Sequence, residues 1–300
     1  MTAVTTTEAR HGAEVPSRYA DKKLSFFGVL RSEFLKFRSL TTSWVMTAII
    51  SALMLGFSLL GALMVNTMYQ DMKDAAADAP PQHGMEGMSI DSLGNIVHTL
   101  GSVGIDMGNM LVGSVAVVFL ASEYANRSIH TTMTVVPKRS MIYLAKLLVV
   151  SLISFVLGFV LAMIGYLLAF QFINGEIQDK FPFENGVFFH ALGVGLYFMM
   201  VAWMGIGFGA LLRNNAGGIM MVVTLFLILP ILLAIFSMGF DWASDMTPYL
   251  PSQVGRAMIE YSVPEDAKFN NVEAGGILAL WCGIPALLGY LRFRFTDVKG

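Results

Sequence analysis

The sequence predicts an all-α membrane protein with six transmembrane helices. Hydrophobic residues make up 55% of its 300 positions and charged residues 13%, about half the ~25% charged share of soluble chains. The mean hydropathy is +0.65, and the apolar residues form runs of the ~20 residues that a helix needs to cross a bilayer. The composition excludes a water-soluble domain, and we expect membrane lipid and no nucleic acid among its partners.

Six apolar runs define the predicted spans, and polar loops separate them. The spans cover approximately residues 44–69, 102–121, 141–170, 187–212, 219–239 and 273–290. Residues 1–23 are polar and Thr-rich without apolar periodicity, which predicts a disordered tail ahead of a membrane domain at 24–300. No apolar core suited to a cleavable signal peptide occurs in the first 40 residues. The longest predicted polar loop, at 70–100, follows span one.

The distribution of basic residues predicts the orientation. Most of the 19 Lys and Arg lie in the N-terminal segment, between spans two and three, after span four, or at the C-terminus. The opposite side receives only Lys73, Lys180, Arg256 and Lys268. Because Lys and Arg concentrate in cytosolic segments, both termini are expected in the cytosol.

A short helix is predicted directly before span one, at residues 24–40. Its apolar stripe recurs at three- and four-residue steps and consists of Phe27, Leu30, Phe34 and Phe37. Arg31 and other cations fall off this stripe. The pattern is typical of a helix in the membrane interface with its cations toward anionic headgroups. A basic calmodulin-type target is the alternative interpretation.

The segment at residues 126–135 lies between spans two and three and is amphipathic but too polar to cross a membrane. Basic residues flank it, which places it on the cytosolic side. We expect it to contact another protein in the cytosol. An ordinary cytosolic turn is the alternative.

Few polar groups are candidates for chemistry within the spans. Asp106, with Asn109 one turn later, lies in the outer part of span two, and either lines a hydrated path or is solvated at the external interface. His83, Met85 and Met88 in the sequence HGMEGM offer soft metal ligands, or belong to a flexible external loop. Gly205, Gly207 and Gly209 lie inside span four, where glycines are typical of close helix packing.

No catalytic arrangement is readable in the sequence. No Lys is followed by Ser or Thr, so the phosphate-binding pattern GxxxxGK[ST] cannot occur. Cys282 is the single cysteine, which excludes an intrachain disulfide framework or a CxxC site. We therefore expect neither enzyme activity nor a cofactor in this chain, and any ATP-driven step needs a second protein.

Three stretches in this order resemble the permease subunits of bacterial type-2 ABC exporters. RSEFLKFRSLTTSW resembles the interface helix of that family running into span one. SEYANRSIHTTMTVVPKRSMIYLAK is similar to its coupling segment, and TPYLPSQVGRAM is similar to its Pro-rich external segment. The resemblance in the order of these elements extends over nearly the whole chain after residue 24.

The resemblance implies a fold and a set of partners. The fold has six spans, a cytosolic coupling helix between spans two and three, and short re-entrant external helices between spans five and six. The partners are two copies of an ATPase subunit, which bind ATP and Mg²⁺, and a second permease. The second permease gives a homodimer in the simplest case, with a heterodimer left open. The residues implied to couple to the ATPase are Glu123, Tyr124, Arg127, Ser128, Ile129, Thr131, Thr132 and Met133.

The function expected from the resemblance is export of an apolar or amphipathic compound, such as a drug, peptide or lipid, across the bacterial plasma membrane. An ion- or proton-coupled secondary carrier is an alternative, although scarce charge within the spans and the lack of an internal repeat count against it. A membrane scaffold or sensor without transport is a further alternative.

Overall fold

A computed structural model describes residues 25–78, 90–126, 128–129, 132, 138–264 and 267–295. The predicted N-terminal tail and the HGMEGM sequence lie outside these residues. Within them the chain is helical and contains no β-strand. The all-α prediction is therefore confirmed for the described part of the chain.

Six helical stretches are long and apolar enough to span a membrane, as predicted. They cover Thr41–Asp74, Ile105–Ala125, Arg139–Phe172, Asn185–Leu212, Asn215–Phe236 and Asn271–Phe295. Most predicted boundaries agree with these to within about one helical turn; the start of span five and the C-terminal ends of spans one, two and six differ by slightly more.

We number the helices in chain order. The first group is α1 (Phe26–Ser39), α2 (Thr41–Asp78), α3 (Ile90–His98), α4 (Ile105–Ala125), α5 (Arg139–Phe172) and α6 (Gly175–Lys180). The second is α7 (Asn185–Leu212), α8 (Asn215–Val223), α9 (Leu229–Phe236), α10 (Asp241–Met246), α11 (Pro251–Met258) and α12 (Asn271–Phe295). Helices α8 and α9 form one span, joined by a π-helical turn at Thr224–Ile228.

Helix α7 is the centre of the bundle and packs against α4, α5 and α12. Its glycines allow these close approaches. A Cβ atom at Gly205 would lie 2.3 Å from the carbonyl oxygen of Gly113 in α4, and one at Gly207 would lie 2.3 Å from the carbonyl carbon of Pro285 in α12. Small residues that bring helix backbones together are typical of membrane bundles. The prediction that these glycines serve packing is confirmed.

The prediction of a polar loop throughout 70–100 is wrong. Helix α2 continues to Asp78, and α3 occupies Ile90–His98. Leu93 and Val97 of α3 are buried against Tyr166 and Ile177. The aspartates and prolines at the start of the predicted loop concealed this short apolar stripe, because a stripe of only two turns gives little periodic signal.

Short helices lie between spans five and six, in the segment for which the sequence predicts external helices. Helices α10 and α11 are joined by a 3₁₀ turn at Thr247–Tyr249. Helix α11 packs on α12, and the hydroxyl of Tyr197 in α7 donates to the carbonyl of Pro251 over 3.1 Å. These contacts fix α11 at the end of the bundle where α4 begins and α9 ends.

Candidate functional site

The candidate site is built around α1, which lies before the first span. Ser25 caps its N-terminus by accepting a hydrogen bond from the backbone N–H of Gly28 over 3.1 Å. Val29 and Glu33 face inward and are buried. A carboxylate on the buried side of an amphipathic helix is costly unless it is paired. The pairing of Glu33 therefore decides how α1 sits on the bundle.

Glu33 belongs to a cluster of two acids and two bases, which we call the buried charge cluster: Glu33, Lys36, Glu123 and Lys146. The Nζ atom of Lys146 lies 2.5 Å from Oε2 of Glu33 and 2.8 Å from Oε1 of Glu123. The Nζ atom of Lys36 lies 2.8 Å from Oε1 of Glu33 and 3.0 Å from Oε1 of Glu123. The formal charges of the four side chains balance. These contacts join α1 to the end of α4 and the start of α5.

Lys146 is the most enclosed member of the cluster. It lies two turns inside α5 and has no exposed surface, whereas the side chain of Lys36 is 36% exposed. The ring of Phe119 lies beneath its ammonium group, 4.4 Å from Nζ to the centroid. A buried lysine needs such partners, because removing an unpaired ammonium group from water is strongly unfavourable. Lys146 counts among the cations between spans two and three that predict the orientation, and the structure buries it completely.

Lys36 shows how the pairing opposes desolvation. Burial lowers the pKa of Lys36, but the hydrogen bonds and charges of Glu33 and Glu123 outweigh burial and raise it above its ordinary value. Lys36 therefore carries its positive charge at physiological pH. Its Nζ also donates to Oγ1 of Thr132 over 3.3 Å. The cluster thus reaches the segment between spans two and three.

The structure describes four residues of that segment: Asn126, Ser128, Ile129 and Thr132. Thr132 donates through its hydroxyl to the carbonyl of Ser128 over 3.1 Å, as one helical turn allows. Ser128 is exposed, and Thr132 is half-buried. The predicted coupling residues Arg127, Thr131 and Met133 lie outside the described residues.

Ile129 lies in the hydrophobic core of this chain and has no exposed surface. The expectation that its side chain is presented to an ATPase does not agree with this packing. Ile129 instead holds the segment on the bundle, because an isoleucine contributes most when all its surface leaves water. Among the described residues of the segment, Asn126 and Ser128 are the exposed ones.

Glu123 and Tyr124 lie side by side at the end of α4 and contact different helices. Glu123 belongs to the buried charge cluster, and its Oε2 is buried without a hydrogen-bond partner in the described residues. The guanidinium of Arg213, at the end of α7, lies 5.2 Å from the centroid of the Tyr124 ring. The ring of Phe293 in α12 packs edge-on at 6.5 Å. A movement of this corner would therefore reach α1, α5, α7 and α12.

The apolar stripe predicted on α1 divides between two environments. Leu30 and Phe37 pack on the core, and the ring of Phe37 lies 5.3 Å from that of Phe119. Phe27 and Phe34 are 79% and 45% exposed, and Arg31 is exposed. The exposed rings are suited to contact with lipid, while the inner face holds α1 on the bundle.

Asp106 and Asn109 lie toward the other end of α4, and Asp106 is roughly 25 Å from Glu123 at 1.5 Å per residue. Asp106 accepts hydrogen bonds from Nε and Nη2 of Arg256 in α11. Asn109 is fully buried, and neither atom of its amide has a hydrogen-bond partner in the described residues. The sequence left open whether Asp106 lines a hydrated path or is solvated at the external interface. The structure shows a third arrangement, in which Asp106 is paired with Arg256.

The histidines are held by ordinary packing and hydrogen bonds. The ring of His190 in α7 places Nδ1 2.5 Å from the carbonyl oxygen of Ile259 and Nε2 2.9 Å from Oγ of Ser102. The ring of His98 stacks on that of Tyr261 with centroids 4.4 Å apart. In the described part of the chain, no three His, Cys, Asp or Glu side chains form a group that could hold a metal ion.

Comparisons with known proteins give no assignment, because no family model matches the sequence and no curated protein matches it significantly.

Proposed function

We propose that this chain is the membrane-spanning permease subunit of an ATP-driven exporter in the bacterial plasma membrane, with both termini in the cytosol. In this proposal an ATPase on a separate chain docks at the segment between α4 and α5. Two copies of the ATPase bind ATP and Mg²⁺, and a second permease completes the translocation path. The exported compound is apolar or amphipathic.

The observation that carries the proposal is the buried charge cluster. It joins α1 to both helices that border the segment at 126–138, through distances of 2.5–3.0 Å between Nζ and carboxylate oxygens. A docking segment can move spans only if it is firmly attached to them. Ion pairs without solvent access give that attachment more firmly than exposed pairs, since water and salt screen them less.

The proposal gives α1 and the docking segment a common role. Lys36 of α1 donates to Thr132 of the segment, so α1 lies against the surface where the ATPase binds. Displacement of the segment by ATP-driven closure then pulls on α1, α4 and α5 as one unit. Tyr124 extends the same displacement to α7 and α12 through Arg213 and Phe293.

A proton-coupled carrier is the second candidate, and the same cluster is the observation that favours it. Ionisable side chains buried within a membrane protein are candidates for proton relays, and Oε2 of Glu123 is unpartnered within the described residues. The compensation of Glu33 and Glu123 by two lysines favours a structural joint over a relay. Transport that needs a proton gradient and no ATP would support the carrier.

The test uses Ser128, an exposed residue of the segment. We expect Ser128→Arg to reduce co-purification with the proposed partner ATPase, because a long cation would separate the two surfaces. Ser262→Arg is the matched control, since Ser262 is also exposed but lies between spans five and six. ATP hydrolysis by the complex in lipid should fall in parallel with co-purification for Ser128→Arg alone. Equal behaviour of the two variants would contradict docking at this segment.

A further inference from the structure

A large cavity lies at the end of the bundle opposite the buried charge cluster. Its volume is about 960 Å³, and ligand pockets typically measure ~300–1,000 Å³. The residues lining it come from the start of α4, the end of α9, α10, α11 and the segment before α12. The cavity is therefore large enough for a drug-sized molecule or part of a lipid.

The walls of the cavity combine apolar and polar surfaces. Val103, Ile105 and Phe269 contribute apolar surface, and Thr247 and Gln253 contribute groups that hydrogen-bond. Pockets that bind small molecules commonly pair apolar walls with a few polar groups that orient the ligand. This composition suits an amphiphile better than a fully polar or fully apolar molecule.

Two cations line the cavity and retain hydrogen-bond donors. The Arg256 guanidinium has five N–H groups; Asp106 accepts from Nε and Nη2, and no hydrogen bond from Nη1 is found in the described residues. The Nζ atom of Lys268 donates to the carbonyl of Asp245 over 3.3 Å and lies 4.6 Å from the centroid of the Tyr249 ring. Neither contact gives Lys268 a carboxylate partner within the described residues.

The contact between Asp106 and Arg256 is the arrangement that an external anion would adopt. Two parallel N–H···O bonds from Nε and Nη2 to the two oxygens of one group are typical of guanidinium binding to carboxylate or phosphate. Hydrogen bonding to Asp106 raises the pKa of Arg256 above its ordinary value. Arg256 lines the cavity and Asp106 does not, so the carboxylate of Asp106 approaches the guanidinium from the wall side.

We propose that this cavity binds an amphiphile with an anionic headgroup, whose carboxylate or phosphate contacts Arg256 and Lys268 in competition with Asp106. The alkyl part of the amphiphile contacts the walls formed by Val103, Ile105 and Phe269. Within the described residues the lining contains one acid, Glu260, whose charge opposes an anion and whose pKa is raised by burial. The inference concerns binding alone and does not depend on ATP-driven transport.

The experiment measures binding of a dansyl-labelled undecanoic acid to the purified full chain in phosphatidylcholine nanodiscs. Trp242 lies in α10, whose Ser244 lines the cavity, so bound probe should give saturable energy transfer from tryptophan that empty nanodiscs lack. The uncharged methyl ester of the same probe should bind at least about tenfold more weakly, the equivalent of one charge-assisted hydrogen bond. Competition by dodecanoate and by dodecyl phosphate then distinguishes a carboxylate from a phosphate ligand.

Variants give the proposal its sharpest test. Asp106→Asn should strengthen binding of the acid, because it removes the competing carboxylate. Lys268→Gln should weaken binding about tenfold, as should the double variant Asp106→Asn/Arg256→Gln, which leaves no unpaired carboxylate. Lys180→Gln is the matched control, since Lys180 also lies over a tyrosine ring, that of Tyr69 at 5.2 Å, but does not line the cavity.

Three results would overturn the proposal. The first is equal affinity for the acid and its methyl ester, and the second is weaker binding of the acid by Asp106→Asn. The third is tighter binding of a dansyl alkylamine of the same length, which would make the cavity a site for cations. Lys268 lies on the exposed surface, so its replacement should leave the fold intact even where the variants of Asp106 do not.

Discussion

Lys146 illustrates how a single residue can fix the arrangement of several helices. Its ammonium group is wholly enclosed and bonded to carboxylates from α1 and α4. Taking a partner from a buried ion pair leaves the other charge uncompensated, which is far more unfavourable than losing an exposed pair. The stability of the bundle should therefore depend on Lys146 more than on the cations of its surface.

We expect Lys146→Met to lower the free energy of unfolding by about 3–5 kcal/mol, because two carboxylates would remain in a buried site with only Lys36 as a counter-charge. Thermal unfolding of the purified protein in detergent measures this effect. The triple variant Glu33→Gln/Glu123→Gln/Lys146→Met should recover part of the loss, since it removes the buried charges together.

The control is Lys73→Met, which breaks the exposed pair of Lys73 with Glu176 and should change the free energy of unfolding little. Similar melting of Lys146→Met and Lys73→Met would show that the cluster does not stabilise the fold.

The sequence carries a signal for this cluster within two apolar helix faces. Glu33 continues the helical spacing of Phe26, Val29 and Phe37, so one acid stands within an apolar stripe. Lys146 likewise stands between Ile142 and Val149, which are both buried. An acid and a base that each interrupt an apolar face are candidates for a mutual contact. Which helices meet depends on tertiary packing, however, and the sequence pattern of each helix does not determine that.

Helix α1 and the corner between α4 and α5 form a joint at the scale of elements. The cluster connects α1 to α5 through Lys146, and Glu123 connects α4 to both lysines. Tyr124 faces away from that cluster, toward the ends of α7 and α12. In the proposed exporter, Glu123 transmits movement between the docking segment and the spans.

Glu123→Gln should separate docking from transmission. An amide keeps the shape of the side chain but loses its charge, so the contacts with Lys36 and Lys146 weaken while the segment remains in place. We expect the variant to co-purify with the ATPase, and ATP hydrolysis in proteoliposomes to lose its response to the transported compound. Glu176→Gln, at the other end of the bundle, is the control and should behave as wild type. Hydrolysis by Glu123→Gln that still responds to the compound would remove Glu123 from the transmission path.

At the scale of the whole molecule, six candidate spans and an uneven distribution of Lys and Arg predict one topology. The spans were predictable because each apolar run is long, and length and hydropathy suffice to identify a membrane helix. Helix α3 was not predictable, because the sequence of a two-turn helix with a narrow apolar stripe resembles that of many polar loops. The cavity beside α11 was not predictable either, since its lining comes from segments far apart in the sequence.

Topology can be measured with two exposed serines in a Cys282→Ala background, since Cys282 is the single, buried cysteine. Ser262→Cys should react with a membrane-impermeant thiol reagent on intact cells, because positive-inside orientation places the segment between spans five and six outside. Ser39→Cys, at the end of α1, should react only after the membrane is permeabilised. Labelling of Ser39→Cys on intact cells would show that the orientation is opposite to the predicted one.

The order of the cluster residues along the chain has a consequence for synthesis in the membrane. Glu33 and Glu123 leave the ribosome before Lys146, so both carboxylates are already present when the lysine enters the lipid as part of α5. A lysine in hydrocarbon is unfavourable by ~2.5–3.5 kcal/mol near the centre of a span, and the waiting carboxylates offset part of that penalty. Helix α1, which is too short to span a bilayer, would then make insertion of the third span more favourable through the carboxylate of Glu33.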